Sequence, residues 1–308
     1  MISVCIPVYN YCVVPLATAL AAQAKSLDCE VELVFVDDAS SAAWREKNAP
    51  LEEMGRYVQL EENIGRARIR NLFLQYTAGD YLLFLDNDSV IRDGFLSRYA
   101  SWVDRQPSVV VGGRVYDRKS DSPDRHLRYL YGVQAESHDA AFRSQQPYRS
   151  FMTNNFMVAR SVFDQVRFDE RLSLYGHEDT LFGYRLSQAG IPIVHIDNPV
   201  VNGDVETNDD FLRKTDEAIQ NLVLLMQSMH DDQGFIRSVR LLDTWQRLAN
   251  IHMEGLVLAI YKVMRQPLLS HFRAGNAISL AQFNFYKLGL FIDKLKHNQN
   301  SQTKLITP

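Results

Sequence analysis

Residues 31–38 read VELVFVDD, and residues 79–88 read GDYLLFLDND. Each is a mostly apolar run, with Glu32 the one charged interruption, that stops at closely spaced acids. A run with consecutive apolar residues does not suit a half-wet sheet, where apolar and polar residues would alternate. It suits a strand covered on both faces, as in a parallel sheet. The chain opens with a third such run, ISVCI at 2–6, ended by Pro7 and Asn10. Helical patterns fall between the runs, at 15–25 with Pro15 at the start, 41–54, 65–77 and 93–105. Short strands are expected at 57–60 and 108–112. Alternating strands and helices predict an α/β fold, a mostly parallel central sheet flanked by helices. Ligands of such sheets gather beyond the carboxyl ends of the strands. The acids at 37–38 and 86–88 stand where that rule puts a site.

Farther along, residues 115–150 are polar and read as an irregular, mobile loop. FMTNNFMV at 151–158 reads as a strand, 161–166 as a short helix, and 191–197 as a last strand. HEDTLFGYRLSQA at 177–189 reads as a helix closed by Gly190. Beyond about 209 the pattern is helical, over 211–228, 235–249, 252–265 and 277–295. The expected division is an α/β domain over 1–205 and a helical C-terminal extension over 206–308.

The net charge of −4 argues against a general nucleic-acid binder. It is unevenly spread. Phe211 to Lys304 holds 12 Lys+Arg and 7 Asp+Glu, a balance of +5, which leaves −9 for the rest. A basic helical tail is either a solvated surface or one drawn to an anionic membrane. Cys5, Cys12 and Cys29 are scattered and odd in number, which suggests reduced thiols and a cytoplasmic protein. The first residues, MISVCIPVYN, have neither the basic nor the long apolar region of a signal peptide, and no run is long enough for a transmembrane helix.

Four clusters carry candidate chemistry. Asp86-Asn87-Asp88 follows a strand, and residues two apart in extended chain point the same way. Two carboxylates there form a hard-oxygen site for Mg²⁺ or Mn²⁺, or else a capping turn. Asp37 and Asp38 suit hydrogen bonds to a base and a ribose, or cap the next helix through Ser40 or Ser41. Asn63-Ile64-Gly65-Arg66 opens a basic helix that either meets a nucleotide or is a simple glycine turn. Glu178 and Asp179 begin a helix whose dipole favours ionised acids. There they are either ordinary capping acids or a general base for an alcohol.

Taken in order, IPVYN at 6–10, VDDAS at 36–40, NIGRARIRN at 63–71, GDYLLFLDND at 79–88 and GHEDTLFGYRL at 176–186 resemble the inverting family 2 glycosyltransferases of the GT-A fold. The likeness spans roughly residues 1–200. It implies that Pro7, Val8, Tyr9, Asn10, Asp37, Asp38, Asn63, Arg66, Asp86 and Asn87 contact a nucleotide-sugar donor, with a UDP-sugar expected. Asp88 with Asp86 would hold the metal. Asp179 would be the catalytic base and Glu178 its alternate, while His177, Asn154 and Asn155 would meet the acceptor. The implied reaction is an inverting transfer to an acceptor hydroxyl, of a saccharide or a lipid-linked saccharide, in bacterial surface polysaccharide synthesis.

Two departures stand out. Ala39 replaces the usual glycine after the acids. Asn202, in Pro199-Val200-Val201-Asn202, takes the place where related sequences often carry a metal-binding His. An amide oxygen ligates hard cations without charge, so Asn202 completes the expected metal set and leaves a degenerate binding module as the alternative. His195, inside a strand, is expected to pack rather than bind metal. A sugar nucleotidyltransferase would start with a Gly-rich basic loop and a dehydrogenase with GxGxxG, and IPVYN is neither. The apolar C-terminal helices are expected to pack on the catalytic domain, pair with a twin subunit, or rest on the inner face of the cell membrane.

Overall fold

The computed structural model describes residues 1–172, 175–229 and 232–306. The first half alternates as expected: β1 Ile2–Val8, α1 Val14–Ala24, β2 Val31–Asp37, α2 Ala42–Asn48, β3 Arg56–Gln59, α3 Arg66–Leu72 and β4 Tyr81–Leu85. Then come β5 Ser89–Val90, α4 Phe95–Val103, β6 Val109–Val111, β7 Arg114–Tyr116, α5 His126–Tyr131 and α6 Ala140–Ser144. The segment read as an irregular loop therefore holds a strand and two helices. Next are β8 Asn155–Ala159, α7 Arg160–Gln165, α8 Glu178–Gln188, β9 Ile193–His195 and β10 Val200–Asn202. The remainder is α9 Asn208–Ser228, α10 Gln233–Ser238, α11 Arg240–Asn250, α12 Glu254–Ala274 and α13 Leu280–Ile306.

The main sheet runs β3-β2-β1-β4-β8-β6-β9. All of its neighbours are parallel except β8, which lies antiparallel to both β4 and β6. Side chains alternate across β1. Val4, Ile6 and Val8 pack with Leu16 and Leu20 of α1 and with Phe95 and Tyr99 of α4. Cys5 packs on the other side with Val34, Val36, Phe84, Phe163 and Phe182. Both sheet faces are thus dry, which is why these strands read as continuous apolar runs. The parallel register sets Val8 beside Asp37, so the ends of β1 and β2 lie together at one edge.

A small second sheet, β5-β10-β7, pairs β10 antiparallel with β5 and parallel with β7. It sets Asn202 opposite Ser89 and Tyr116.

The chain forms two compact units. One comprises Met1–Asp117, Ala135–Ser173 and Glu178–Asp204; the other comprises Arg118–Gln134, Leu174–His177 and Val205–Pro308. The second unit is helical. In it, Tyr261 of α12 lies against Gly289 of α13, where any added Cβ would overlap the ring. Helix α12 continues past the expected end at 265 and carries Pro267 inside it.

Candidate active site

The loops after β1 and β2 are tied together by side chains. The Asn10 amide N–H donates to Ser40 Oγ at 2.9 Å, and Asn10 Oδ1 accepts from the Ser41 N–H at 3.0 Å. Asp37 is fully buried. It accepts from the Ser40 N–H at 2.6 Å and from the Tyr57 hydroxyl at 2.9 Å. Between the loops, Ala39 adopts φ 62°. That left-handed conformation costs a residue with a Cβ about 1–2 kcal/mol, and this is the position where a glycine is usual.

Asp38 turns the other way and organises α3. Its two oxygens accept from the backbone N–H groups of Ile64 at 2.7 Å and Gly65 at 3.1 Å, and Asn63 Nδ2 donates to the Asp38 carbonyl. Gly65 leads the helix with φ 82° and has no capping side chain of its own. Asp38 therefore supplies the missing cap from a different strand end. Burial, opposed by the two backbone bonds, pushes its carboxyl above the ordinary range.

The helix held in this way presents Arg70, which is 2% exposed. Its guanidinium lies 3.1 Å from Asp86 and 3.6 Å from Glu178. Arg114 of β7 approaches from the opposite side, 3.3 Å from Asp86, 3.9 Å from Asp88 and 3.8 Å from Glu136. Tyr116 donates a short hydrogen bond to Glu136. Burial alone would raise the Asp86 carboxyl, but Arg70, Arg114 and Arg66 outweigh it and hold it below the ordinary range. Asp88 moves the opposite way. Burial raises it, Asp86 adds repulsion, and Arg114 offsets only part of this.

Asn202 Nδ2 donates to Asp88 at 2.6 Å, while its Oδ1 is buried with no partner. Amide N and O positions are assigned by such partners, so a turn of this amide would offer its oxygen instead. Asp88 and Asn202 thus present an under-compensated carboxylate and an orphaned amide oxygen on hard-cation chemistry. Among the described residues, no group of three or more His, Cys, Asp or Glu is gathered for a metal. The strand pairing keeps this arrangement close. The Gly203 N–H donates to the Asp88 carbonyl at 2.8 Å, and a Cβ on Gly203 would lie 2.6 Å from that oxygen.

Helix α8 brings the remaining acids. Phe182 stacks on Phe168 and Leu186 is buried in the same aromatic core. Gly183 allows close approach to the Tyr148 carbonyl, which an added Cβ would meet at 2.6 Å. This packing fixes the first turn, which holds Glu178 and Asp179. Asp179 accepts from the Thr180 N–H at 2.7 Å. Burial and the neighbouring Glu178 push its carboxyl up to about 7. A carboxylate titrating there takes up a proton near neutral pH more readily than an ordinary one.

Several expected positions gather in the first unit: Asp86, Asp88 and Asn202, with Glu178 joined to Asp86 through Arg70. Tyr9 is exposed and its carbonyl lies 3.5 Å from Asn87 Nδ2, so the loop after β1 borders the turn after β4. Pro7 and Val8 are the last residues of β1. Arg66 and Asn63 are exposed at the start of α3.

Other positions take different roles. Asn155 is fully buried. It accepts from the Tyr99 hydroxyl and donates to the carbonyls of Gly113 and Asn198, so it ties strands together and has no amide atom left for an acceptor. Asn154 passes its carbonyl to the Asp86 N–H, and its Nδ2 is buried without a partner. His177 belongs to the second unit. His195 packs as expected, against Pro147 O and Arg143, and burial lowers its pKa to about 4.

The cluster also contains Arg114, Tyr116 and Glu136, which the sequence does not single out. A depression of about 320 Å³ lined by Val31, Glu32, Leu33 and Arg56 lies at the other ends of β2 and β3. It has no comparable cluster, so cavity size does not locate the chemistry.

A family profile described as Glycosyl transferase family 2 matches residues 3–167. A dTDP-rhamnosyl transferase, RfbF of Shigella flexneri, is 26% identical over 185 residues, covering 58% of this chain and 60% of that protein. The uncharacterized glycosyltransferase YfnE of Bacillus subtilis is 25% identical over 242 residues, covering 61% of each. The chain thus spans about three-fifths of the length of these curated relatives. Among solved structures, the mannosyltransferase PcManGT from Pyrobaculum calidifontis, in complex with GDP-Man and Mn²⁺, superposes with a TM-score of 0.59. It is 15% identical and covers 97% of this chain and 86% of that one, a likeness of fold.

Proposed function

The chain belongs to glycosyl transferase family 2, and on that premise we propose that it moves a sugar, with inversion, from a nucleoside-diphosphate donor to an acceptor hydroxyl. The first compact unit carries the reaction. The observation that carries this reading is the Arg70 guanidinium, which joins Asp86 to Glu178, next to Asp179 in the first turn of α8, all in one unit.

In the proposed step, an acceptor oxygen attacks the anomeric carbon as Asp179 takes its proton. The carbon–oxygen bond to the diphosphate breaks, and its electron pair leaves with the nucleoside diphosphate. Arg70 and Arg114 keep Asp86 ionised and place positive charge beside the departing group. Asp88 and Asn202 would hold a divalent cation, Mn²⁺ or Mg²⁺. When bound, such a cation neutralises charge on the leaving diphosphate. Asp38 acts at one remove by fixing α3, and with it Arg66 and Arg70, while Tyr9 and Asn10 border the donor.

The donor is a pyrimidine nucleotide-sugar. A UDP-sugar is the first reading. The name of the Shigella relative favours a dTDP-sugar as the second. A role in bacterial surface polysaccharide assembly fits both. The test is transfer and donor binding by wild type and Asp179→Asn with UDP-, dTDP- and GDP-sugars. Loss of transfer with donor binding kept supports the base assignment; undiminished transfer by the variant removes it.

A further inference from the structure

Arg114 is one cation facing three carboxylates, and its guanidinium divides them. Nη2 lies 3.3 Å from Asp86 and 3.9 Å from Asp88, while Nη1 lies 3.8 Å from Glu136. The side chain is only 12% exposed. Its placement is built into the chain. Gly113, just before it, takes φ 89°, and a Cβ there would lie 2.8 Å from the Arg143 guanidinium. Residues two apart on a strand point the same way, so Arg114 and Tyr116 share one side of β7. Nη1 donates to the Tyr116 hydroxyl at 3.4 Å, and that hydroxyl donates to Glu136. Tyr116 and Glu136 thus tether one nitrogen, and the other is left on Asp86 and Asp88.

That tethered charge bears on any cation held by Asp88 and Asn202. A divalent cation arriving by itself meets the positive charge of Arg114 beside Asp88. It gains little from Asp86, which Arg70 also compensates at 3.1 Å. Among the described residues, no cluster of three or more His, Cys, Asp or Glu makes up the difference. A nucleoside diphosphate reverses the balance. Its oxygens ligate the cation, and its negative charge gives Arg114 a partner of its own. Arg114 has a donor to spare for it, since Nε is buried with no partner. The charge that repels the bare cation therefore attracts the cation and diphosphate together.

Resting on the cation reading proposed above, we infer that Arg114, tethered by Tyr116 and Glu136, is a positioning residue that makes divalent-cation binding depend on the donor's diphosphate. Linkage then requires each ligand to tighten the other by the same factor. The test uses the full chain and two binding measurements: the paramagnetic resonance signal of free Mn²⁺ over protein without nucleotide, and calorimetry of UDP and dTDP with Mn²⁺ or EDTA. Wild type should bind Mn²⁺ weakly by itself and bind nucleotide at least about tenfold more tightly with Mn²⁺ than with EDTA. Arg114→Gln should tighten bare Mn²⁺ at least about tenfold, the scale on which one adjacent guanidinium changes a carboxylate's affinity for a proton. The same variant should weaken nucleotide binding in Mn²⁺. A merely damaged site would weaken both, so the opposite signs separate this role from a structural one. Arg114→Lys keeps the charge and should bind bare Mn²⁺ as weakly as wild type. Glu136→Gln loosens the tether, leaves the charge free to settle on Asp86 and Asp88, and should weaken bare Mn²⁺; it serves also where Arg114→Gln does not fold. Bare Mn²⁺ binding that is unchanged or weaker in folded Arg114→Gln would overturn the role of Arg114 and leave the cation site standing, as would unchanged or tighter binding in Glu136→Gln. Wild type that binds nucleotide equally in Mn²⁺ and EDTA would remove the cation site itself, and this role with it.

Discussion

Two sets of acids end the two strands that flank β1, and the fold uses them differently. Asp37 and Asp38 are absorbed mainly by backbone and hydroxyl donors, Ser40, Tyr57, Ile64 and Gly65, with Arg45 more distant at 4.0 Å from Asp37. Asp86 and Asp88 are met by long cationic side chains and one amide: Arg70, Arg114 and Asn202. The first set is part of the scaffold, because its partners are fixed by the chain itself and cannot leave. The second retains unmet capacity, since Asp88 is raised by burial and by Asp86 while Asn202 Oδ1 has no partner. Acids at a strand end are thus only a candidate site, and the kind of partner they meet decides between support and chemistry.

That contrast can be broken at several points. The largest effect is expected at Asp179. Asp179→Asn should lower the transfer rate by about 10²–10⁴-fold, the usual contribution of a positioned general base. The wild-type rate should rise with pH through about 7, where this carboxyl ionises, and level off above it. A rate flat across that window would detach Asp179 from proton transfer.

Asp37→Ala should act on stability instead. It leaves the half-buried Tyr57 hydroxyl and the Ser40 N–H without their acceptor, at a cost of about 1–3 kcal/mol. Denaturant unfolding measures this, and an unchanged midpoint would remove Asp37 from the scaffold.

The pH dependence of stability sharpens the same point. In the folded state Asp179 titrates at about 7, whereas an unfolded aspartate titrates near 3.8. Between these values the folded chain holds a proton that the unfolded chain has released. This group's contribution therefore falls as pH rises from about 4 to about 7. Asp179→Asn should melt a few degrees above wild type at pH 8, a shift typical of a modest stability change, with the gap closing near pH 4. A gap of equal size at both values would contradict the buried charge.

The smallest expected effect is at Asn202. Asn202→His should tighten metal-dependent nucleotide binding by adding a stronger ligand beside Asp88, and calorimetry with and without Mn²⁺ would measure it. No change would place Asn202 outside the cation's reach.

Much of the fold was legible because β1, β2 and β4 are dry on both faces, and uninterrupted apolar runs follow directly. Helix α8 was legible from its period and from Gly190, which takes φ 66° after the helix ends. The small sheet was not. β5, β7 and β10 have two or three residues each, too few to show a period, and they exist through pairing across 86 or more residues. Arg114 was hidden for the same reason: its approach to Asp86 depends on β7 lying beside β10, and Glu136 joins the cluster only through Arg114 and Tyr116. The sequence raised Asp37 and Asp38 as donor contacts or caps, and the hydrogen bonds of Asp38 to α3 depend on where Ile64 and Gly65 fold. Asn155 reads as a site residue in sequence because it is polar in an apolar strand, and its three core partners are visible only in the fold.

The measurement that bears most directly on the central claim is a calorimetric titration of UDP and dTDP, with Mn²⁺ and with EDTA, into wild type, Asp88→Asn and Asp37→Asn. The contrast predicts metal-dependent binding in wild type, its loss in Asp88→Asn, and its survival per folded molecule in a less stable Asp37→Asn. Metal-dependent binding that survives in Asp88→Asn and vanishes in folded Asp37→Asn would exchange the roles of the two strand ends and contradict the account.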